Sequence, residues 1–167
     1  MNRNSSLLDD IVVDLLKKQL AHETYNANLY RTFASWCDAN GLKNSTKIFN
    51  DQFVEEHSHA NKIWDYLQDC RIFVQYPAIE EINITDIEND DEGTFKKLIE
   101  LALEREIITT ESLKKINKAA LSVDDYITSN FLRKLLLNQV TEEKEAHDRL
   151  DAFKHSKENL VIDSYLE

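Results

Sequence analysis

Residues 53–60 of this chain are FVEEHSHA, within a longer stretch of helical character. Glu56 and His59 are three residues apart, so they share one face of a helix, and Phe53 and Ala60 place apolar side chains beside them. A carboxylate that faces a protein core costs free energy unless a metal ion or a partner compensates it. An exposed pair on a helix surface is the plain alternative for such a motif alone. The choice between a metal-binding pair and an exposed surface pair depends on whether other helices carry polar residues at the same height.

Four long amphipathic segments predict an all-α four-helix bundle. Their apolar residues recur at i, i+3, i+4 and i+7, the spacing of an amphipathic helix. Two glycines and one proline in 167 residues are too few for the many turns of a β-rich fold. We predict a single domain over 1–167. Its helices are expected over about 7–38, 44–69, 93–121 and 125–154, with a short C-terminal fifth helix over about 158–166.

The connection between the second and third helices is unusually long. It covers about residues 71–91 and contains the only proline, Pro77, and an acidic run at 88–91 that we interpret as a solvated loop. A connection of this length needs a reason inside a compact domain. A crossover along the bundle provides one, because some four-helix bundles carry a single long connection. The helices are therefore expected to run up, down, down and up.

Two pairs of polar residues are predicted to lie at equal heights in the bundle. The midpoint of Glu23 and Glu56 falls between residues 39 and 40, inside the expected turn at 38–41. The midpoint of Glu106 and Gln139 falls between residues 122 and 123, where the next turn is expected. Each pair is separated by 33 residues. If each helix pair forms an antiparallel hairpin, the two members of each pair lie level.

Four carboxylates, one imidazole and one amide would then converge at one height. They are Glu23, Glu56, His59, Glu106, Gln139 and Glu142. Such an oxygen-rich set with one nitrogen suits iron or manganese better than the thiolate sites that zinc often occupies. A carboxylate that bridges two metal ions about 4 Å apart would let both act on dioxygen. The alternative for Gln139 and Glu142 is that they are ordinary surface residues.

These residues together resemble the ferroxidase signature of bacterial non-haem ferritins. The resemblance covers about residues 15–166, and its elements are Glu23 followed by Tyr30, the segment 55–59, Glu106 before Thr110, and the segment 139–143. Ferritin-like bundles with a carboxylate di-metal site carry Glu-x-x-His on two helices. This chain has that motif on one helix, with Glu142 where bacterioferritins and rubrerythrins carry the second histidine. That difference favours a non-haem ferritin.

The resemblance implies a di-iron centre. Glu23, Glu56 and His59 would hold the first iron, and Glu56 would bridge to the second. The residues implied around the second iron are Glu56, Glu106 and Glu142, with Gln139 close by.

Tyr30 matches the tyrosine beside the site in that family, which is usually linked to electron donation; plain packing in the core is the alternative. The family's third iron site is matched here by Glu55 and Glu142. Asn138 and Thr141 stand where further acids would be expected, so that site is predicted to be weak.

As a function, the resemblance implies iron storage and detoxification. Iron(II) would be oxidised by dioxygen or peroxide, and iron(III) mineral would be stored in a shell of about 24 identical subunits. No haem is expected, because Met1 is the only methionine and His57 stands where a haem-ligating methionine would be. One alternative is a ferritin-like shell or oligomer that binds metal with slow or incomplete turnover. Another is a mini-ferritin that protects DNA, although those proteins place the site between subunits.

Composition and charge exclude several other classes. The net charge of −11 argues against nucleic acid as a partner, and no run of 18 apolar residues predicts a membrane span. The first ten residues show no secretory signal pattern, so a cytoplasmic location is expected. Cys37 and Cys70 fall at opposite ends of the bundle and are expected to be free thiols. His22, His57 and His147 are expected to be solvated.

Overall fold

The computed structural model describes residues 7–78, 81–84 and 93–166. Its helices are α1 (Asp10–Ala39), α2 (Lys43–Asp69), α3 (Thr94–Ser122), α4 (Tyr126–Asp151) and α5 (Asn159–Tyr165), with a 3-10 turn at Ala152–Lys154. No strand occurs in the described ranges. The all-α bundle with a short fifth helix is confirmed. The predicted fourth helix extended three residues too far at its C-terminal end, because residues 152–154 adopt 3-10 geometry. None of the described helices has the length and apolarity needed to cross a bilayer.

Local signals determine both ends of α1. Its start is later than predicted because the Asp9 side chain caps it, accepting a hydrogen bond of 3.0 Å from a backbone N–H of the first turn. After the helix, Gly41 adopts a φ of +74°, in the left-handed region that favours glycine. The backbone N–H of Leu42 then donates to the carbonyl oxygen of Cys37 at 2.9 Å. Gly41 therefore begins the reversal into α2.

Two apolar clusters occupy the two ends of the bundle. One lies where α1 begins and α2 ends, and contains Leu8 and Val74. The other lies where α3 begins, and contains Phe95 and Ile84. Because Val74 and Ile84 belong to the same connection, that connection runs along the bundle, which confirms the predicted crossover. The acidic run at 88–91 lies outside the described residues.

The two cysteines belong to different clusters. Cys37 packs in the Phe95 cluster and Cys70 in the Leu8 cluster, and both are free thiols, as predicted. Burial raises the pKa of the Cys37 thiol to about 12. This thiol therefore stays protonated at neutral pH.

Helix α5 packs against its own chain at the start of α2. The buried carboxylate of Asp163 accepts hydrogen bonds from the backbone N–H groups of Asn44 at 3.1 Å and Ser45 at 2.8 Å, and from Ser45 Oγ at 2.5 Å. Leu42, at the N-cap of α2, offers no side-chain cap of its own. A carboxylate some 119 positions further along the chain therefore caps α2.

Candidate metal centre

A layer of buried polar residues lies between the two apolar clusters. Each of its side chains exposes 9% or less: Gln19 and Glu23 from α1, Glu56 and His59 from α2, Glu106 and Thr110 from α3, and Gln139 and Glu142 from α4. The interpretation of Glu56 with His59 as an exposed surface pair is therefore wrong. The same holds for Gln139 with Glu142.

The antiparallel pairing of α1 and α2 positions the first half of the layer. The turn between these helices lies at residues 40–42, so Glu23 and Glu56 sit level across it. His59 follows Glu56 by one turn on the same face. Ligand atoms of Glu23, Glu56 and His59 all lie within 4.8 Å of one another. The structure therefore assembles a two-carboxylate, one-imidazole cluster that could hold a metal ion.

Gln139 organises the second half of the layer. Its Nε2 donates to Oε2 of Glu142 and, at 3.5 Å, to Oε2 of Glu106. The Thr110 hydroxyl donates to Gln139 Oε1 at 3.0 Å. Gln139 thus presents its nitrogen to the carboxylates and its oxygen to Thr110. In this arrangement Gln139 is a hydrogen-bond donor to two carboxylates.

Tyr30 both packs in the core and bonds to the site. Its ring is stacked on Phe49 at 6.0 Å and meets Phe33 edge-on at 6.2 Å. Its hydroxyl donates to Oε1 of Glu106, with the Ala102 carbonyl oxygen a second acceptor at 3.4 Å. Burial, followed by the charge of Glu106, raises the pKa of Tyr30 well above its usual range. The phenol therefore remains protonated and keeps this donor in place.

Several carboxylate oxygens of the layer lack a donor. Glu23 Oε2, Glu56 Oε2 and Glu142 Oε1 are buried and have no hydrogen-bond partner among the described residues. Buried acceptors are normally satisfied, since leaving one unpaired costs free energy. Three such oxygens in one layer are what a cation-binding site requires. The residues present therefore fit a bound metal ion.

Proton affinities in the layer follow from burial and mutual repulsion. Burial raises the pKa of Glu106 to about 7. Burial and the charge of Glu106 raise the pKa of Glu142 to about 9, and burial with the charge of Glu23 raises that of Glu56 well above its usual range. Burial lowers the pKa of His59, so its ring is neutral at pH 7 and can offer a lone pair to a metal. Metal ions would therefore displace protons from this site.

A second cluster adjoins the first on the α2–α4 side. Ligand atoms of Glu55, His59 and Glu142 lie within 4.8 Å of one another, with Glu55 exposed. Asn138 Nδ2 lies 3.5 Å from His59 Nε2, and Thr141 is exposed. The possible third site around Glu55 therefore shares His59 with the first cluster, and amide and hydroxyl groups replace two of its expected acids.

Gln19 and Ser112 belong to the site and were not predicted. Gln19 Nε2 donates to Glu23 Oε1 at 2.7 Å, and Ser112 Oγ donates to Gln19 Oε1 at 2.5 Å. The only signal in the sequence was the position of Gln19, four residues before Glu23 and hence on the same helix face. Nothing in the sequence connected Ser112 to either residue.

The prediction that His22 is solvated was wrong. His22 is half-buried, with Arg105 Nη2 2.9 Å from its Nδ1 and Thr109 Oγ1 2.7 Å from its Nε2. Because a guanidinium can only donate, Nδ1 accepts and Nε2–H donates to Thr109. Burial lowers the pKa of His22 to about 4. His57 and His147 are exposed, as predicted.

Comparison with known proteins agrees with this geometry. A model of the ferritin-like domain matches residues 13–156. The chain belongs to the ferritin-like superfamily, among the bacterial non-haem ferritins. It is 29% identical over 168 residues to the bacterial non-haem ferritin of Campylobacter jejuni, covering 96% of this chain and 95% of that protein. It is 30% identical to the counterpart from Staphylococcus aureus, covering 82% and 79%.

Solved structures give the same family. The open-pore ferritin of the archaeon Archaeoglobus fulgidus superposes with a TM-score of 0.84 at 28% identity, covering 95% of this chain and 97% of that one. The predicted family resemblance is thus confirmed. Membership of this family supports a role in iron storage.

Proposed function

We propose that this chain oxidises iron(II) at paired metal positions in the polar layer and stores iron(III) as mineral inside a shell of about 24 copies. The observation that carries the proposal is the set of buried carboxylate oxygens without donors, on Glu23, Glu56 and Glu142, beside the neutral ring of His59. A buried, unpaired oxygen set of this kind is costly unless a cation uses it.

The two metal positions share Glu56 and otherwise use different residues. The first iron would bind Glu23, Glu56 and His59, whose ligand atoms already lie within 4.8 Å of one another. The second would bind Glu56 as a bridge, together with Glu106 and Glu142. Oxygen ligands with one imidazole suit iron(II), and the charge of four carboxylates stabilises iron(III) still more strongly because its charge is higher.

The reaction follows from this charge distribution. Two iron(II) ions supply two electrons, which are enough to reduce one dioxygen to peroxide. Below pH 7, Glu106 and Glu142 carry protons in the metal-free protein and would release them when iron binds. Tyr30, whose phenol donates a hydrogen bond to Glu106, would provide one further electron towards the reduction of peroxide to water, and the phenol would release its proton in the same step. It is the residue that we assign to catalysis.

A homo-oligomeric assembly forms part of the proposal. Ile127, Leu137 and Val140 expose 70%, 61% and 70% of their surface, which is apolar area that neighbouring subunits could cover. The whole chain 1–167 would serve as one such subunit in the cytoplasm, with iron ions as its ligand and without haem, nucleic acid or membrane as partners. Glu55 would be an auxiliary ligand of a weak third site.

The direct test is aerobic addition of iron(II) to the full chain, followed by a native gel stained for protein and for iron. We expect both stains in one very large particle. A small, iron-free band would refute storage in a shell. A large particle that retains iron(II) without oxidising it would instead support the alternative, a metal-binding shell with slow turnover.

A double variant tests whether the polar layer is the site. Glu23→Ala with His59→Ala removes two ligands of the first position, and we expect the fast phase of oxidation to disappear while helical content is kept. His57→Ala with Glu104→Ala, which changes exposed residues of the same types, is the matched control. Equal initial rates in both double variants would refute the assignment.

A further inference from the structure

Gln19 forms a hydrogen bond with only one of the two carboxylate oxygens of Glu23. The Gln19 side chain is fully buried on α1, one turn before Glu23, and its Nε2 donates to Glu23 Oε1 at 2.7 Å. The other oxygen, Oε2, is buried and has no hydrogen-bond partner among the described residues. One oxygen is therefore held by the amide, and the other is left open for a metal ion.

Ser112 determines which way the Gln19 amide faces. Its hydroxyl, on α3, donates to Gln19 Oε1 at 2.5 Å. If the amide were turned over, its oxygen would face the Glu23 carboxylate, and two acceptors would be opposed without a proton between them. The carboxylate and the hydroxyl therefore select the same amide orientation. The oxygen of Gln19 is occupied, so Gln19 is a donor to the site and does not act as a ligand.

The same arrangement occurs a second time, on α4. Thr110, two residues before Ser112 on α3, donates to Gln139 Oε1 at 3.0 Å. Gln139 in turn donates to Oε2 of Glu142, and Oε1 of Glu142 has no hydrogen-bond partner among the described residues, with His59 Nε2 3.7 Å away. In each case an α3 hydroxyl orients a glutamine, which holds one oxygen of a glutamate and leaves the other open.

We propose that Gln19, oriented by Ser112, is a positioning residue that fixes Glu23 as a one-oxygen ligand of the first metal position. The proposal rests on the metal site of the proposed function. Residues that hold a ligand in its binding geometry reduce the ordering needed when the metal arrives, and their removal typically weakens metal affinity by about 10–100-fold. The effect of Gln19 should therefore appear in binding, before any oxidation takes place.

The test is an anaerobic titration of the metal-stripped full chain with Co²⁺, followed by calorimetry and by the visible absorption of the bound ion. We expect Gln19→Met, which keeps the side-chain length, to weaken binding at the first position by about 10-fold or more and to shift the cobalt absorption bands. Ser112→Ala should weaken binding less. In the Gln19→Met background, Ser112→Ala should have no further effect, because the residue that it orients is gone.

Gln52→Met is the matched control. Gln52 is also a buried glutamine four residues before a site glutamate, Glu56, but in the described part of the chain no hydrogen bond joins these two side chains. Its replacement should leave Co²⁺ affinity and spectrum as in the wild type. Equal effects of Gln19→Met and Gln52→Met would overturn the proposal, as would wild-type affinity in Gln19→Met. If Gln19→Met does not fold, wild-type Co²⁺ binding in Ser112→Ala overturns it. A wild-type chain that binds no Co²⁺ overturns the proposed function itself.

Discussion

The phenol of Tyr30 donates a hydrogen bond to Oε1 of Glu106, a residue 76 positions further along the chain on α3. This bond joins the aromatic packing of Phe33 and Phe49 to the polar layer, because the same ring contacts both. The bond also lowers the pKa of Glu106, against the larger effect of burial, which raises it. Tyr30 therefore affects both the position and the charge of one site carboxylate.

Replacing Tyr30 with phenylalanine should distinguish the packing of its ring from the role of its hydroxyl at the site. Tyr30→Phe keeps the ring but leaves Glu106 Oε1 without its donor, so we expect a loss of about 1–2 kcal/mol in the free energy of unfolding. Oxidation of iron(II) should slow by about tenfold near pH 6.5, because Glu106 keeps its proton more tightly and an electron donor is lost. Stopped-flow absorption measures the rate. Tyr25→Phe, whose ring is half-buried on the same helix, is the control, and matching rates in the two variants would contradict this role.

Replacing the ionisable carboxyl of Glu56 with an amide should stabilise the metal-free protein. The carboxyl of Glu56 is 3% exposed, and the charges of Glu23, Glu106 and Glu142 all oppose its ionisation. Glu56→Gln should raise the melting temperature in a chelator, because the folded protein no longer has to keep a proton on a carboxyl that the unfolded chain releases at neutral pH; the increase should be about 2–4 °C for each kcal/mol gained. The increase in melting temperature produced by Co²⁺ in the wild type should be largely lost.

Thermal unfolding with chelator and with Co²⁺ measures both effects of the Glu56 substitution. Glu104→Gln, an exposed change on α3, is expected to alter neither. A destabilised metal-free Glu56→Gln variant that still gains full stability from Co²⁺ would show that Glu56 has no role as a bridging ligand.

The metal-free protein should lose stability between pH 6.5 and pH 8.5. In this window the unfolded chain has released the Glu142 proton while the folded chain, with the pKa of Glu142 at about 9, retains it. Rising pH therefore favours the unfolded state. Below pH 6.5 the lowered pKa values of His22 and His59 act in the opposite direction, since the unfolded chain then binds more protons. Glu142→Gln should reduce this loss of stability with rising pH. Melting temperatures of both proteins, measured across the window in a chelator, test the prediction. A wild-type melting temperature that does not change with pH would contradict it.

Asp163 should stabilise both the start of α2 and the docking of α5. Asp163→Ala leaves two backbone N–H groups and the Ser45 hydroxyl without their acceptor, and we expect a loss of about 1–2 kcal/mol in the free energy of unfolding. Protease should also cleave the tail faster. Ser164→Ala, an exposed change on the same helix, serves as the comparison. If both variants unfold at the same denaturant concentration, the cap does not contribute to stability.

The helices and the heights of the site residues were determined by the sequence itself. Helical periodicity indicates which residues share a face, and a turn midway between Glu23 and Glu56 places them level in any antiparallel hairpin. These are local relationships that need only the geometry of a helix and the position of one turn, which Gly41 marks. The bundle, its crossover and the grouping of Glu23, Glu56 and His59 followed from them.

Tertiary structure alone decided which side chains hold these ligands. Ser112 meets Gln19 across 93 residues, Arg105 meets His22 across 83, and Ser45 meets Asp163 across 118. Such contacts depend on how far each helix is rotated about its own axis and on the packing that positions α3 and α5. Periodicity identifies the face on which a residue lies, but not the atom that it meets on the neighbouring helix. The sequence therefore indicated where a metal could bind, and packing between helices decided how each carboxylate is oriented to receive it.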